Sequence, residues 1–267
     1  MTESRSPRQS TVGKRLREFF RGLGGGQPGS KTGGGESPLD AMRRHLRDVL
    51  PPDASVHVRG ISFAQEAEDL ILADLFPADW RGFYVDVGAH HPYRFSNTAY
   101  FSLRGWSGIN IDAAPGTTAS FAQARPHDVT LECAVGETEG TMDFFLFDEP
   151  ALNTLEPERV KQLERDTAYR VKEVRRLAVR RLDSLLAEHL PAGRSIDFLS
   201  VDVEGHEMAV VRSNDWQRFR PRFVLLELLG RGVLDLGADP VVGEMLAVGY
   251  VPFVKGQRTV FFRDARA

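Results

Sequence analysis

The sequence predicts an α/β fold on a mostly parallel, doubly wound sheet, and three observations carry that expectation. The run Gly82-Phe83-Tyr84-Val85-Asp86-Val87-Gly88 is short, apolar and rich in β-formers, and it ends in aspartate and glycine before helix-compatible sequence. About two dozen residues later Ser107-Gly108-Ile109-Asn110-Ile111-Asp112 repeats the pattern and stops at a carboxylate. Near-continuous apolar runs of this length mark strands covered on both faces. The third observation is the order of elements: β-α-β-α-β, an excursion, β-α-β-α, and a closing hairpin. That order fits parallel strands finished by an antiparallel edge.

Residues 1–37 carry Gly24-Gly25-Gly26, Gly33-Gly34-Gly35 and few aliphatic side chains, and they read as a disordered basic tail. Within that tail, Val12-Gly13-Lys14-Arg15-Leu16-Arg17-Glu18-Phe19-Phe20-Arg21 can form a short basic amphipathic helix, compatible with weak contact to an acidic membrane surface or a partner, or with plain solvation. The domain is expected over 38–267. Leu39, Met42, Leu46 and Leu50 share one helical face, and Pro51-Pro52 ends that helix. A helix is expected over 64–76. The first strand follows, then a helix over 97–104, the strand ending at Asp112, a helix over 115–124 with proline near its first turn, and a third strand over 129–135. The excursion holds half-exposed strands at 141–147 and 171–182, added beside the main sheet, around a charged helix at 156–166. A short helix over 183–190 precedes the fourth core strand, Ser195-Ile196-Asp197-Phe198-Leu199-Ser200-Val201-Asp202. A helix from His206, the strand 223–228, a helix over 239–248 and a hairpin turning at Lys255-Gly256-Gln257 complete the chain.

Composition narrows the function. With 42% hydrophobic and 27% charged residues the chain has material for one sizeable core, and a net charge of −3 gives no basis for nucleic-acid binding. Cys133 is the only cysteine, so no internal disulfide forms and a reducing, cytoplasmic setting is expected. No apolar run approaches the roughly eighteen residues of a transmembrane segment. In doubly wound sheets a glycine-containing first turn lets the backbone approach a cofactor, and an acid ending the second strand accepts hydrogen bonds from ribose hydroxyls. The pair ending at Gly88 and Asp112 therefore points to a nucleoside cofactor. Gly88-Ala89-His90-His91-Pro92 has one glycine where a dinucleotide fingerprint has three, which disfavours a nicotinamide enzyme.

Four blocks in register carry a resemblance. They are Ser62-Phe63-Ala64-Gln65-Glu66-Ala67-Glu68-Asp69; residues 83–92; Ser96-Asn97-Thr98 leading to Gly105-Trp106 and Ile111-Asp112; and Asp197-Phe198-Leu199-Ser200-Val201-Asp202-Val203-Glu204-Gly205-His206-Glu207. The chain from about Ser62 to Phe262 resembles the FkbM-type S-adenosylmethionine-dependent methyltransferases. It departs from them at Ala67, where the family usually has glycine. The resemblance implies a Rossmann-like class I methyltransferase sheet, S-adenosyl-L-methionine as cofactor, and methyl transfer to a hydroxyl of a saccharide or small metabolite. The alternative is a degenerate cofactor-binding module with a scaffolding role, which replacement of the acids at Asp202 and Glu204 would have favoured.

The candidate residues follow from strand ends. Asp86, Gly88, Ala89 and His90 form the first turn and are expected at the methionine end of the cofactor. Asp112 is expected at the ribose, and Ala134 and Val135 at the adenine. Asp202, Glu204 and His206 crowd the end of the fourth core strand, and titratable groups at a buried strand end are costly unless used or paired. Glu227 ends the fifth strand. Asp202 and Glu227 would sit side by side if those strands pair, an oxygen-rich arrangement that suits Mg²⁺. These four are the catalytic candidates, with Asp202 and Glu227 the candidate metal ligands. Gln65, Asp69 and Asn97 are the candidates for substrate contact. Adjacent histidines on a loop chelate poorly together, so His90-His91 is read as a loop facing cofactor or substrate.

Overall fold

The structure is a computed structural model that describes Arg44 and residues 60–230 and 232–266. The chain divides into two compact units, Met1–Ile61 and Ser62–Ala267. Arg44 apart, the basic tail and the helix expected over 38–50 lie outside the described residues. All elements below belong to the second unit.

Seven strands form the main sheet: β1 (Phe83–Val87), β2 (Ser107–Asp112), β3 (Val129–Glu132), β7 (Phe198–Val201), β8 (Phe223–Glu227), β9 (Tyr250–Lys255) and β10 (Thr259–Asp264). Their order is β3-β2-β1-β7-β8-β10-β9. The first five are parallel, and β10 runs antiparallel to both β8 and β9. The closing hairpin thus inserts its second strand beside β8. The order reverses between β1 and β7, which makes their C-terminal ends the switch point where such sheets bind ligands.

Period-two alternation sends the strand residues into two cores. Val85, Val87, Ile109, Ile111, Leu199, Val201, Val224 and Leu226 pack under helices α5 (Leu182–His189), α6 (Glu207–Arg212) and α7 (Pro240–Ala247). Tyr84, Phe198, Leu225 and Phe261 face the other way, onto Leu72 of α1 (Glu68–Ala73), Phe101 of α2 (Ala99–Leu103) and Trp106. Helix α3 (Thr117–Ala124) packs beside β3.

Two expectations need correction. The strand expected over 129–135 is broken at Cys133: β3 stays in the main sheet, whereas β4 (Ala134–Val135) leaves it. β4 pairs with β6 (Val171–Arg180), which also pairs with β5 (Gly140–Phe147), so the excursion is a separate three-stranded sheet with its own core of Ala134, Phe144, Leu155 and Val179. Secondly, the helix expected over 64–76 is confined to α1, because residues before it fold as turns around Asp69. That carboxylate accepts from the Ser62 hydroxyl (2.6 Å) and from the backbone N–H of Phe63 (2.7 Å) and Leu70 (2.9 Å). The charged helix of the excursion, α4 (Pro157–Asp166), forms as expected.

Candidate functional site

A cleft of about 750 Å³, its open mouth included, lies over the ends of β1, β2 and β7. From the strand ends come Val87, Gly88, Ile111, Asp112, Asp202, Val203 and Glu204. β4 supplies Ala134 and Val135, and the excursion closes one wall with Phe144, Asn153, Thr154 and Leu155. Gln65, His90 and Phe95 line the same space.

Gly88 explains how the first turn fits. Its φ is +84°, and a Cβ there would lie 1.7 Å from the carbonyl oxygen of Asp202. No residue with a side chain fits between β1 and β7 at that point. The N–H groups of Gly88 and Ala89 both donate to the Ile111 carbonyl (2.9 and 3.2 Å), which ties the turn to β2. Asp112 continues the tie: one carboxylate oxygen accepts from the His90 N–H and the other from the Ala114 N–H, each at 2.7 Å. Burial raises its pKa while those bonds pull the other way. Oδ1 also lies 3.5 Å from the Thr117 hydroxyl, whereas Oδ2 has a second lone pair for a further donor. His90 is itself left-handed (φ +51°), and its Nε2 is buried without a partner among the described residues. Burial, and then Arg94 and His91, lower its pKa, so the imidazole is neutral near pH 7. His91 instead accepts at Nδ1 from the N–H groups of Tyr93 and Arg94, both at 3.0 Å, and shapes the loop.

Asp86 does not reach the cleft. The register aligns it with Asn110 of β2 and Ser200 of β7, on the face that Tyr84 occupies. The three form a buried polar layer roofed by the loop 92–98. Thr98 donates its hydroxyl to Asp86 (2.8 Å), and Asn97 donates its amide to Ser200 (3.0 Å). Arg125, which sequence reasoning missed, is buried against this roof. It donates to Thr98 and Ser96 hydroxyls (both 2.8 Å), to Asn110 (3.4 Å) and to the Pro92 carbonyl. Burial pushes the Asp86 carboxyl up to about 6 against the pull of Thr98 and Arg125. Asn97 therefore holds the roof, and Asp69 organises the turns before α1, rather than lining the cleft.

The acids gather at the other strand ends. β7 and β8 pair in parallel with Val201 opposite Leu226, which sets Asp202 beside Glu227. Glu204 joins them, and one oxygen from each of the three lies within 4.8 Å of the others. Burial, then the charges of Glu227, Glu204 and Glu207, raise the Asp202 pKa well above the carboxylate range. Burial, then Glu204, push Glu227 up to about 7. Asp202 and Glu204 face the cleft; Glu227 lines an adjoining groove with Arg159, Met208 and Leu229.

The excursion braces this loop. Glu204 is left-handed (φ +51°), its carbonyl accepts from Thr154 Oγ1 (2.9 Å), and Arg159 of α4 clamps its Oε2 with two nitrogens at 2.7 and 3.2 Å. His206 belongs to the same brace: its Nδ1 lies 2.5 Å from Glu156 Oε1, and its ring lines a separate depression beside Gly136 and Met142. Thr154, Glu156 and Arg159 carry no signal in the sequence beyond the charge of their helix, since their partners are about fifty residues away.

Residues 86–246, more than half of the chain, match the model of the methyltransferase FkbM domain. No curated protein matches the sequence. Among solved structures, similarity extends to a TehB-like SAM-dependent methyltransferase from Corynebacterium glutamicum (12% identity over 84% of this chain and 95% of that one, TM-score 0.35). It extends also to the O-methyltransferase TomG from Streptomyces achromogenes in complex with SAM (12%, 97% and 88%, TM-score 0.37). An O-methyltransferase from Bacillus cereus in complex with SAH is similar at 11%, 83% and 94%, TM-score 0.34. The family model, matched across the strands that build the cleft, decides the matter: the chain belongs to the FkbM family of S-adenosylmethionine-dependent methyltransferases.

Proposed function

We propose that the cleft over β1, β2 and β7 holds S-adenosylmethionine and that the enzyme methylates a hydroxyl of a saccharide or small metabolite. One juxtaposition carries this reading: a first turn that tolerates only glycine, beside a strand-terminal carboxylate with a lone pair left for a ribose. The remaining lining fits the same molecule. Ile111, Ala134 and Val135 offer an apolar slot for a purine. The methyltransferase domain in this reading spans 38–267 and includes the compact unit Ser62–Ala267.

Bound S-adenosylmethionine supplies a methyl group on a sulfonium leaving group, so the chain's own work is alignment and proton removal. An acceptor oxygen must lie in line with that methyl, and fixing this geometry contributes several kcal/mol. A saccharide hydroxyl is a very weak acid and needs a base as it attacks. With no cation bound, Glu227, pushed up to about 7, is a stronger base than an exposed carboxylate, and burial keeps the proton on its neighbour Asp202. The groove bounded by Arg159, Gln162 and Met208 gives the acceptor a way to Glu227.

Calorimetric titration with S-adenosylhomocysteine tests the cofactor reading. Wild type should bind in the micromolar range, and Asp112→Ala should lose at least about tenfold, as expected for removal of charged hydrogen bonds to a ribose. Absence of binding to the wild-type protein refutes the reading.

A further inference from the structure

We propose that Asp202, Glu204 and Glu227 form a binding site for a hard divalent cation of the Mg²⁺ or Mn²⁺ class, set in the wall between the cleft and the adjoining groove. The reading of the cleft as a cofactor site supplies the catalytic consequence; cation binding itself is tested independently of it.

Spacing is the first support. One oxygen from each carboxylate lies within 4.8 Å of the other two. Ligands about 2.1–2.4 Å from a shared ion stand that far apart or closer. An all-oxygen set favours Mg²⁺, Mn²⁺ or Ca²⁺ over zinc.

Incomplete pairing is the second, and it is independent of the first. Glu227 is 5% exposed and Glu204 is 8% exposed. Among the described residues, Glu227 Oε2 is fully shielded and receives no hydrogen bond from outside the acid cluster; Glu227 pairs with Asp202 only while one of the two holds a proton. The neighbouring cations do not meet this need. Arg258 stands 3.7 Å from Glu227 Oε1, the other oxygen. Arg159 places both its contacts on Glu204 Oε2, which leaves Oε1 available. The fourth acid nearby, Glu207, is already satisfied at Oε1 by the N–H groups of Val203 and Gly205. The guanidinium groups thus flank the cluster while its centre keeps three carboxyl groups and an orphaned oxygen. A buried carboxylate in that state calls for a counter-charge.

The backbone is built to bring the third ligand in. Glu204 adopts a left-handed conformation that a non-glycine residue rarely takes, and Thr154 holds its carbonyl in place. Strain of this kind persists where the surroundings over-determine it, often at ligand clamps. With three protein ligands, the ion keeps coordination positions for water or for an acceptor hydroxyl from the groove.

The experiment is titration of the full-length protein with Mn²⁺, without cofactor, reading free Mn²⁺ by electron paramagnetic resonance. One Mn²⁺ per chain is expected, displaced by excess Mg²⁺. Asp202→Asn and Glu227→Gln should each weaken it by at least about tenfold, and thermal melts verify that both remain folded. Asp112→Ala should leave Mn²⁺ binding intact while losing S-adenosylhomocysteine. No bound Mn²⁺ at about 1 mM, the weak end of protein cation sites, or binding indifferent to both substitutions, overturns the proposal. Homocysteine-nucleoside binding without Mn²⁺ sinks the cation site alone; the reverse sinks the cofactor reading alone.

Discussion

Replacing Asp86 by asparagine should stabilise the protein, by an amount that grows with pH. The carboxylate is 5% exposed between Asn110 and Ser200, and burial lifts its pKa from an ordinary 3.8 to about 6. The folded state therefore holds this proton at pH values where the unfolded chain has released it. Wild-type stability from this group is complete below pH 3.8 and is lost as pH rises through about 6. A shift of roughly two units corresponds to about 3 kcal/mol. Asparagine keeps an oxygen to accept from Thr98 and has no proton to lose. The difference in unfolding free energy between Asp86→Asn and wild type should rise from about 1.5 kcal/mol at pH 5 to about 3 kcal/mol at pH 8. Urea unfolding at a series of pH values measures it. A difference that is flat with pH, or a variant less stable than wild type at pH 8, would refute the reasoning and show that Arg125 and Thr98 more than offset the burial.

Arg125→Met should cost about 3–5 kcal/mol in the same assay, because it strips the loop 92–98 of its shared donor and leaves Asp86 without the nearby cation; a loss below about 1 kcal/mol contradicts this. Gly88→Ala forces a Cβ to within 1.7 Å of the Asp202 carbonyl, so β1 and β7 must separate. A clear drop in melting temperature together with loss of S-adenosylhomocysteine binding is expected, and a wild-type melt would argue against the packing described. Ala67→Gly should act in the opposite sense. Ala67 has φ +63°, and relieving a left-handed alanine stabilises by about 0.5–1 kcal/mol, seen as a higher urea midpoint at unchanged slope.

The Ala67 conformation accounts for a departure that was visible in the sequence alone. The family's usual glycine falls where the chain turns left-handed into α1, and this protein keeps the turn with alanine. Its tethers explain how. The Glu66 N–H donates to Glu68 (2.7 Å), Glu68 accepts from Thr259 (2.8 Å), and Glu66 accepts from the Arg258 N–H (3.0 Å), which fastens the segment to the β9–β10 hairpin.

The excursion has a comparable role on the other side of the cleft. Three contacts run from residues 154–159 to the loop after β7: Thr154 to the Glu204 carbonyl, Arg159 to the Glu204 carboxylate, and Glu156 to His206. They turn a cluster of acids at a strand end into a fixed constellation. His206, one of the four catalytic candidates, makes this bracing contact.

The sheet, and the strand ends that line the cleft, were readable from the chain alone. Apolar runs and turn residues are local signals: Phe83–Val87 and Phe198–Val201 must be covered on both faces, and a parallel strand ends where its apolar run ends. Gly88, Asp112, Asp202 and Glu227 were legible because each stands at such an end. The direction and partnership of each side chain came from long-range packing. Asp86 lies two residues from Gly88, yet strand alternation turns it into the polar layer held by Arg125. Glu204 is two residues from Asp202, yet it joins the acid cluster only because a left-handed turn and a clamp from α4 hold it there. The break at Cys133 likewise depends on β6, about forty residues on, competing successfully for β4. Strand ends are set by the residues beside them in the chain; partners across forty to a hundred residues exist only once the sheet has formed.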